Sequence, residues 1–411
     1  MTDVEWRPLM SHEKQSELYS AYWSELDNAH ENGRPVVWCM GMAPQEIFRA
    51  VDAVILFCDN FGATLAMAGI SQELCEVAET KGFTMELCSY ARGHIGAQLT
   101  GRNPQGKPLR KPDMIVYPSS RCTIYDGWAK VFKDMYPDVR LVSIDVPALN
   151  DGMSEDEQDG AHAYVKRQLL EIIELIDNRW GHRFDYDRLA EMVGNTGAAG
   201  RGLLAMHQTM RMVPAPVSTI DMFFNLFPLF SLRGRPEPAL YYAEAKAEID
   251  QRIAEGFAAV PQEKFRLYWD GVAIWTRLPE QFRQIARHRA VLVSSVYSNG
   301  NAENSARCDA ARPLDSLVDT MLWSFTNLGL QGKTELISRL VTDFHADGII
   351  MQVSRSCKPY FVGERMFIKK VAERTGVPYV EVPGDMADPR MYSWQEIEDR
   401  IEAFLERLAG S

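Results

Sequence analysis

Cysteine is scarce and scattered in this chain: seven residues in 411, with no C-x-x-C pair. That spacing excludes contiguous zinc ribbons and ferredoxin-type cluster loops, whose ligands come from one short stretch. The odd total also argues against a disulfide scaffold. Any metal site has to be assembled from distant segments. Nucleotide signatures are missing as well: there is no G-x-x-x-x-G-K-S/T loop and no G-x-G-x-x-G, and GRNPQGK (101–107) is only a turn-rich loop. A chain without a Walker loop is not expected to hydrolyse ATP itself. The histidines at His94, His162, His182, His207, His288 and His345 form no H-E-x-x-H pair, which excludes hydrolases built on that motif.

Positive charge is in deficit, with a net charge of -12 and no basic clusters interleaved with aromatics. A nucleic-acid phosphate binder is therefore not expected. No apolar run approaches the ~18 residues of a membrane span. The longest candidate, FFNLFPLFSL (223–232), is short and broken by proline, and suits a core or a subunit interface. The first residues, MTDVEWRPLMSHEKQ, are polar and mixed in charge, without an apolar signal segment. These features together describe a cytoplasmic protein.

What is present is a hydrophobic content of 46%, ample for two or three cores. Residues 12–32 have the pattern of an amphipathic helix. RPVVWC, AVILFCD (53–59), DMIVYP (113–118) and VRLVSIDVP (139–147) read as short apolar strands, alternating with helices after Pro44, over 71–82 and over 123–136. Apolar strands alternating with helices indicate a doubly wound parallel sheet. An acidic exposed segment, DGMSEDEQDG (151–160), opens a long helical stretch, which forms either a helical domain or helices packed across two lobes. FRLYWDGVAIW (265–275), AVLVSSVY (290–297), GIIMQV (348–353) and VPYVEVP (377–383) resume the strand pattern, with helices over 334–347, over 359–375 and at the end of the chain. The expected architecture is α/β: two Rossmann-like (flavodoxin-like) parallel-sheet lobes, residues 1–150 and 263–411, with an additional helical domain over 151–262.

Three cysteines stand apart by location. Cys122 and Cys357 each follow an apolar strand, a short polar turn, and then open a helix; Cys88 ends the apolar run GFTMELC. Ligands in open α/β sheets bind outside the carboxyl ends of strands, and a thiolate is favoured at a helix start. The three are candidate ligands of a shared metal or cluster site with one open position, and thiolates suit iron–sulfur and zinc alike. A nucleophilic thiol assisted by His94 is a competing idea that no spacing supports. Cys39, Cys58, Cys75 and Cys308 fit apolar packing positions.

Several runs in order, SQELCEVAETKGFTMELCSYARGHIG, KPDMIVYPSSRC, EKFRLYWDGVAIW, FTNLGL, DGIIMQVSRSCK and GDMADPR, resemble the 2-hydroxyacyl-CoA dehydratase family, which also contains the ATP-dependent benzoyl-CoA reductase subunits. The similarity runs from RPVVW to RIEAFLE and looks most like the dehydratase alpha-type subunit. It implies a 4Fe-4S cluster held by Cys88, Cys122 and Cys357, with one iron left without a cysteine. It also implies a homologous smaller iron–sulfur subunit, a separate ATP-dependent iron–sulfur activator that injects one electron, and an acyl-CoA thioester substrate. The family chemistry makes a ketyl radical anion of the thioester, which expels the 2-hydroxyl and acidifies the C3 proton. Two rivals accompany that expectation: a benzoyl-CoA-type reductase subunit, and a cluster-binding electron-relay subunit whose partner holds the substrate.

The resemblance also marks further positions. Gly41, within CMGMAP, matches a family serine that contacts the substrate hydroxyl, and offers no hydroxyl of its own. Asp59, in DNFG, matches a family carboxylate and reads either as a polar group near the cluster or as a helix-start residue. Arg92 and His94, just past Cys88, are candidates for the thioester side or for groups behind the cluster ligands. Met40, Met42 and Trp38 are candidates for an apolar acyl pocket, which a small residue at 41 would enlarge.

Overall fold

A computed structural model describes residues 5–119, 122–181 and 183–410. The polar turn of Ser120 and Arg121 ahead of Cys122, His182, and the first four residues lie outside the described residues.

Two four-stranded sheets, wholly parallel, carry the fold. The first holds β1 (Val36–Cys39), β2 (Val54–Phe57), β3 (Met114–Pro118) and β4 (Arg140–Ile144) in the order β2-β1-β3-β4. The second holds β5 (Phe265–Asp270), β6 (Ala290–Ser295), β7 (Gly348–Ser354) and β8 (Tyr379–Gly384) in the order β6-β5-β7-β8. The two orders are the same, and they match the start of the flavodoxin order. Uniformly apolar strands such as VVWC, VILF and MIVYP are buried throughout because helices cover both faces. The central register sets Trp38 beside Leu56 on one side and Ile115 on the other. Cys122 follows the third strand of its sheet and Cys357 the third strand of the other, so the echo seen in the sequence has a topological basis.

The helices between the sheets bridge them. Glu155–Trp180 starts at a capping box in which Ser154 and Glu157 satisfy each other's backbone N–H groups. Tyr186–Thr209 runs backbone to backbone along Asn301–Ala306 of the second lobe. A Cβ at Gly200 would fall 2.3 Å from the Ala306 nitrogen, and one at Gly197 only 2.1 Å from the Cys308 carbonyl oxygen. The same helix reaches the first lobe, where Thr196 donates a 2.7 Å hydrogen bond to Glu46, a carboxylate that also receives Arg233 at 2.6 Å. The helix Tyr186–Thr209 thus touches both lobes. FFNLFPLFSL contributes Phe223, Leu226, Leu229, Phe230 and Leu232 to the core.

Three local expectations need correction. The run GFTMELC forms no strand: Phe83, Met85 and Leu87 are half-buried and Thr84 and Glu86 exposed, so its alternation reflects a turn lying on the surface of the lobe. Cys88 thus caps the helix Ser89–Thr100 rather than ending a strand. The strand over 53–59 stops at Phe57, and Cys58 and Asp59 already belong to the helix Cys58–Met67, where a carboxylate in the first turn complements the helix dipole. The helix over 359–375 is two helices, Lys358–Phe361 and Glu364–Thr375, because Val362 is extended and Gly363 takes a left-handed φ of 79°.

Candidate active site

The carboxyl ends of both sheets open onto one cavity of ≈ 140 Å³. From the first lobe come Gly41 and Met42 after β1, Phe57, Asp59 and Asn60 at β2, and Cys122, Tyr125 and Trp128 after β3. From the second come Val272 after β5, Tyr297 after β6, Ser356, Cys357 and Tyr360 after β7, and Met386 after β8. Cys88 and Tyr90 enter from the helix Ser89–Thr100, and Phe230 from the bridging segment. Parallel sheets place such loops at their strand ends by topology alone.

All three singled-out cysteines therefore line the same space, each partly exposed to it. Among the described residues the cysteines form no disulfide. Burial pushes the Cys88 thiol well up from its ordinary range, and the neighbouring Cys122 adds to this. Cys357 is raised in the same way, by burial and then by Cys88 and Cys122. The thiols are close enough to oppose each other's ionisation. Backbone N–H groups of Ala91 and Tyr90 at Cys88, and of Tyr360 at Cys357, favour the thiolates. Cys39, Cys58, Cys75 and Cys308 lie buried outside the cavity wall, Cys75 donating to the Ser89 carbonyl over 3.5 Å and Cys308 accepting from Arg233 over 3.7 Å.

Serines fasten this arrangement. The Ser356 hydroxyl donates to Asp385 and lies 3.4 Å from the Ser89 hydroxyl, while the Ser89 N–H donates to Ser356 over 3.4 Å. Asp385 in turn accepts from the N–H groups of Ala387 and Asp388 at 3.0 and 2.9 Å. The residues adjoining Cys88 and Cys357 are thus tied to each other and to the loop after β8.

Asp59 faces the cavity from the first turn of its helix. The Gly41 N–H donates to its Oδ2 over 2.8 Å, and the Tyr125 hydroxyl donates to its Oδ1 over 2.7 Å. Asp59 is a helix-start residue, and it also lines the cavity. Gly41 sits at a φ of 57°, and the space above its Cα is filled by the Tyr125 ring. The small residue at 41 therefore does not enlarge the pocket. Met42 lines the cavity, whereas Met40 and Trp38 are fully buried elsewhere.

Arg92 and His94 are absent from the cavity wall, which corrects their reading as thioester-side groups. The helix that Cys88 caps is buried on more than one side, and Arg92 and His94 leave it in different directions, each into packing outside the cavity wall. Arg92 is fully buried and pairs with Asp388 at 2.8 Å and Glu79 at 2.5 Å. His94 is enclosed by Trp38, Phe61, Trp128 and Phe132. Neither of its ring nitrogens finds a hydrogen-bond partner among the described residues. Burial pulls its pKa down to about 3, so it is neutral at pH 7 and a weak base.

That burial has a pH signature. His207 is a second fully buried imidazole, also lowered to about 3 by burial. A base whose folded pKa is depressed stabilises the fold above its unfolded pKa, near 6.5, and loses that contribution as pH falls toward 3. Each such histidine costs ~1.4 kcal/mol per pH unit below about 6.5. In urea titrations from pH 8 to 5, the unfolding midpoint of wild type is expected to fall below pH 6.5. His94→Phe, which suits the aromatic cage, should show a shallower fall. An unchanged slope in that variant contradicts the assignment.

Three residues that face the cavity are not legible as site residues in the sequence: Tyr125, Tyr90 and Tyr297. Tyr125 carries the one available signal, standing a helical turn after Cys122 at the carboxyl end of a strand. Tyr90 reaches the cavity because a Cβ at Gly62 would lie 2.5 Å from its ring, a close approach that no local pattern announces.

The family model of the 2-hydroxyglutaryl-CoA dehydratase D-component matches residues 40–408, a span that includes every cysteine, aspartate and tyrosine of the cavity wall. The chain belongs to that family. A benzoyl-CoA reductase chain of Thauera aromatica is 27% identical over 96% of this chain and 94% of its own length. The (R)-2-hydroxyisocaproyl-CoA dehydratase alpha subunit of Clostridioides difficile is 26% identical over 95% of this chain and 94% of its own. The (R)-phenyllactyl-CoA dehydratase alpha subunit of Clostridium sporogenes is 23% identical over 93% and 91%. No helix among the described residues is long and apolar enough to cross a membrane.

The donor set can be tested against the cluster that the resemblance implies. Among the described residues no three His, Cys, Asp or Glu side chains are arranged to hold a metal ion. A cluster makes a different demand: each thiolate binds its own iron, so the sulfurs surround a cube instead of meeting at one centre. Three thiols lining one cavity, two of them facing backbone N–H donors, fit that demand.

Proposed function

We propose that this chain is the iron–sulfur subunit of a cytoplasmic, ATP-activator-dependent 2-hydroxyacyl-CoA dehydratase that eliminates water through a ketyl radical. The reading includes a homologous smaller subunit and a separate iron–sulfur activator as partners. The observation that carries it is the convergence of Cys88, Cys122 and Cys357, from three remote segments, on one cavity between the carboxyl ends of two sheets.

In this proposal the three cysteines hold a 4Fe-4S cluster. When bound, the cluster supplies a reducing electron and a Lewis-acidic iron with an open coordination position. The chain's own residues shape the rest of the site. Phe57, Phe230, Trp128, Tyr297 and Met42 form an apolar wall that excludes water from an acyl group. Asp59, fixed through both carboxylate oxygens, holds a polar group on one side of the cavity. A cavity with this wall favours substrate on this chain over a relay role with substrate held elsewhere.

The relative from Thauera aromatica supports a second reading, a ring-reducing benzoyl-CoA-type reductase subunit. Electron accounting separates the two. With partner subunit, activator and ATP present, dehydration is expected to form many products per electron delivered, because the electron is returned at the end. Stoichiometric consumption of two electrons per product would establish the reductase and overturn the dehydratase reading.

A further inference from the structure

The wall formed by Gly41, Asp59 and Tyr125 has a built polar element outside the cysteine set. A Cβ at Gly41 would fall 2.8 Å from Cε2 of Tyr125, 3.2 Å from its Cζ and 3.2 Å from Cγ of Pro118. The backbone at Gly41 is left-handed, a conformation in which side chains are disfavoured in any case. The glycine therefore does two things. It admits the phenol ring against the backbone, and it turns its own N–H toward Asp59. The ring brings its hydroxyl to the other carboxylate oxygen, so Asp59 is held from both sides. The three groups come from the ends of β1, β2 and β3, and all face the cavity lined by the cysteines.

We propose that Tyr125, seated on Gly41 and anchored by Asp59, is a specificity-determining residue whose hydroxyl receives the 2-hydroxyl of the acyl group. The inference rests on the acyl-CoA reading of the cavity. A phenol that donates to a carboxylate is polarised into a stronger acceptor, and a substrate hydroxyl is a donor of matching kind. The relay runs from substrate O–H to the Tyr125 oxygen, and from the Tyr125 O–H to Asp59. An acyl group without the hydroxyl gains nothing from it. Tyr125 thus supplies, from the third strand, a hydroxyl that a side chain at position 41 could provide only by displacing the ring.

The test compares (R)-2-hydroxyisocaproyl-CoA with isocaproyl-CoA, which lacks only the hydroxyl, by anaerobic titration calorimetry of the full chain reconstituted with iron and sulfide. Tyr125→Phe keeps the ring and is expected to hold wild-type iron. It should lose roughly five- to tenfold in affinity for the hydroxylated thioester, the range of one hydrogen bond, and none for the thioester that lacks the hydroxyl. Gly41→Ala should lose the same discrimination by displacing the ring. Equal affinities in wild type and Tyr125→Phe for both thioesters, or an equal loss on both, overturn the inference while the acyl-CoA reading stands. A wild-type chain that binds neither thioester overturns that reading and this inference with it.

Discussion

Single replacement of Cys88, Cys122 or Cys357 by alanine is expected to reduce the iron of anaerobically reconstituted protein from about four per chain toward none. The size of the effect follows from the geometry. The three thiols come from sequence positions too far apart to substitute for one another, and they face one cavity. Burial and mutual proximity raise the thiol pKa values of Cys88 and Cys357, so the thiolate set is costly to form without bound cations. Removing one ligand would leave a cluster open at a second corner. The same substitution at Cys308, buried and outside the cavity wall, is expected to leave the iron content unchanged. Iron retained at wild-type levels in all three cavity variants contradicts the assignment.

Arg92→Leu is expected to destabilise the fold by ~3–5 kcal/mol, the cost of breaking a buried ion-paired network so that Asp388 and Glu79 are left to share Arg390. Arg92 and Asp388 are both fully buried, and the same carboxylate receives Arg390 at 2.6 Å. Glu79 closes the network by accepting from Arg390 at 2.6 Å and from Arg92. This four-charge cluster joins the helix Ser71–Glu79, the helix capped by Cys88 and the loop after β8. Its loss should lower the denaturation midpoint and loosen the placement of Cys88. Arg92→Lys keeps a charge but not the planar fork, and is expected to recover only part of the stability. A variant that unfolds like wild type but binds acyl-CoA more weakly would instead restore Arg92 to the substrate side.

The legible and illegible parts of this protein differ for physical reasons. Parallel strands buried on both faces leave unbroken apolar runs, so VVWC, VILF and MIVYP declare themselves, and the carboxyl-end rule then places Cys122 and Cys357. Cys88 is marked by its resemblance to family motifs, yet its sequence suggests a strand that does not exist, because a surface turn with alternate residues half-buried reads the same as a strand edge. Arg92 and His94 mislead since the helix they share is buried on more than one side, and local sequence does not reveal which side the cavity occupies. Tyr125 and the close fit over Gly41 depend on how β1 and β3 lie next to each other in space, which periodicity along the chain does not encode. The bridging of both lobes by Tyr186–Thr209 is likewise hidden, because Gly197 and Gly200 mark close approach without naming the partner.

In the proposed enzyme three remote sulfurs share one iron cluster at the junction of the two sheets. Anomalous diffraction at the iron absorption edge, from crystals grown anaerobically after reconstitution, tests it most directly. One compact iron peak is expected in the cavity, bounded by the sulfurs of Cys88, Cys122 and Cys357 and facing Tyr125 and Asp59. Iron bound elsewhere, or a competent anaerobic preparation whose crystals show none, would contradict it.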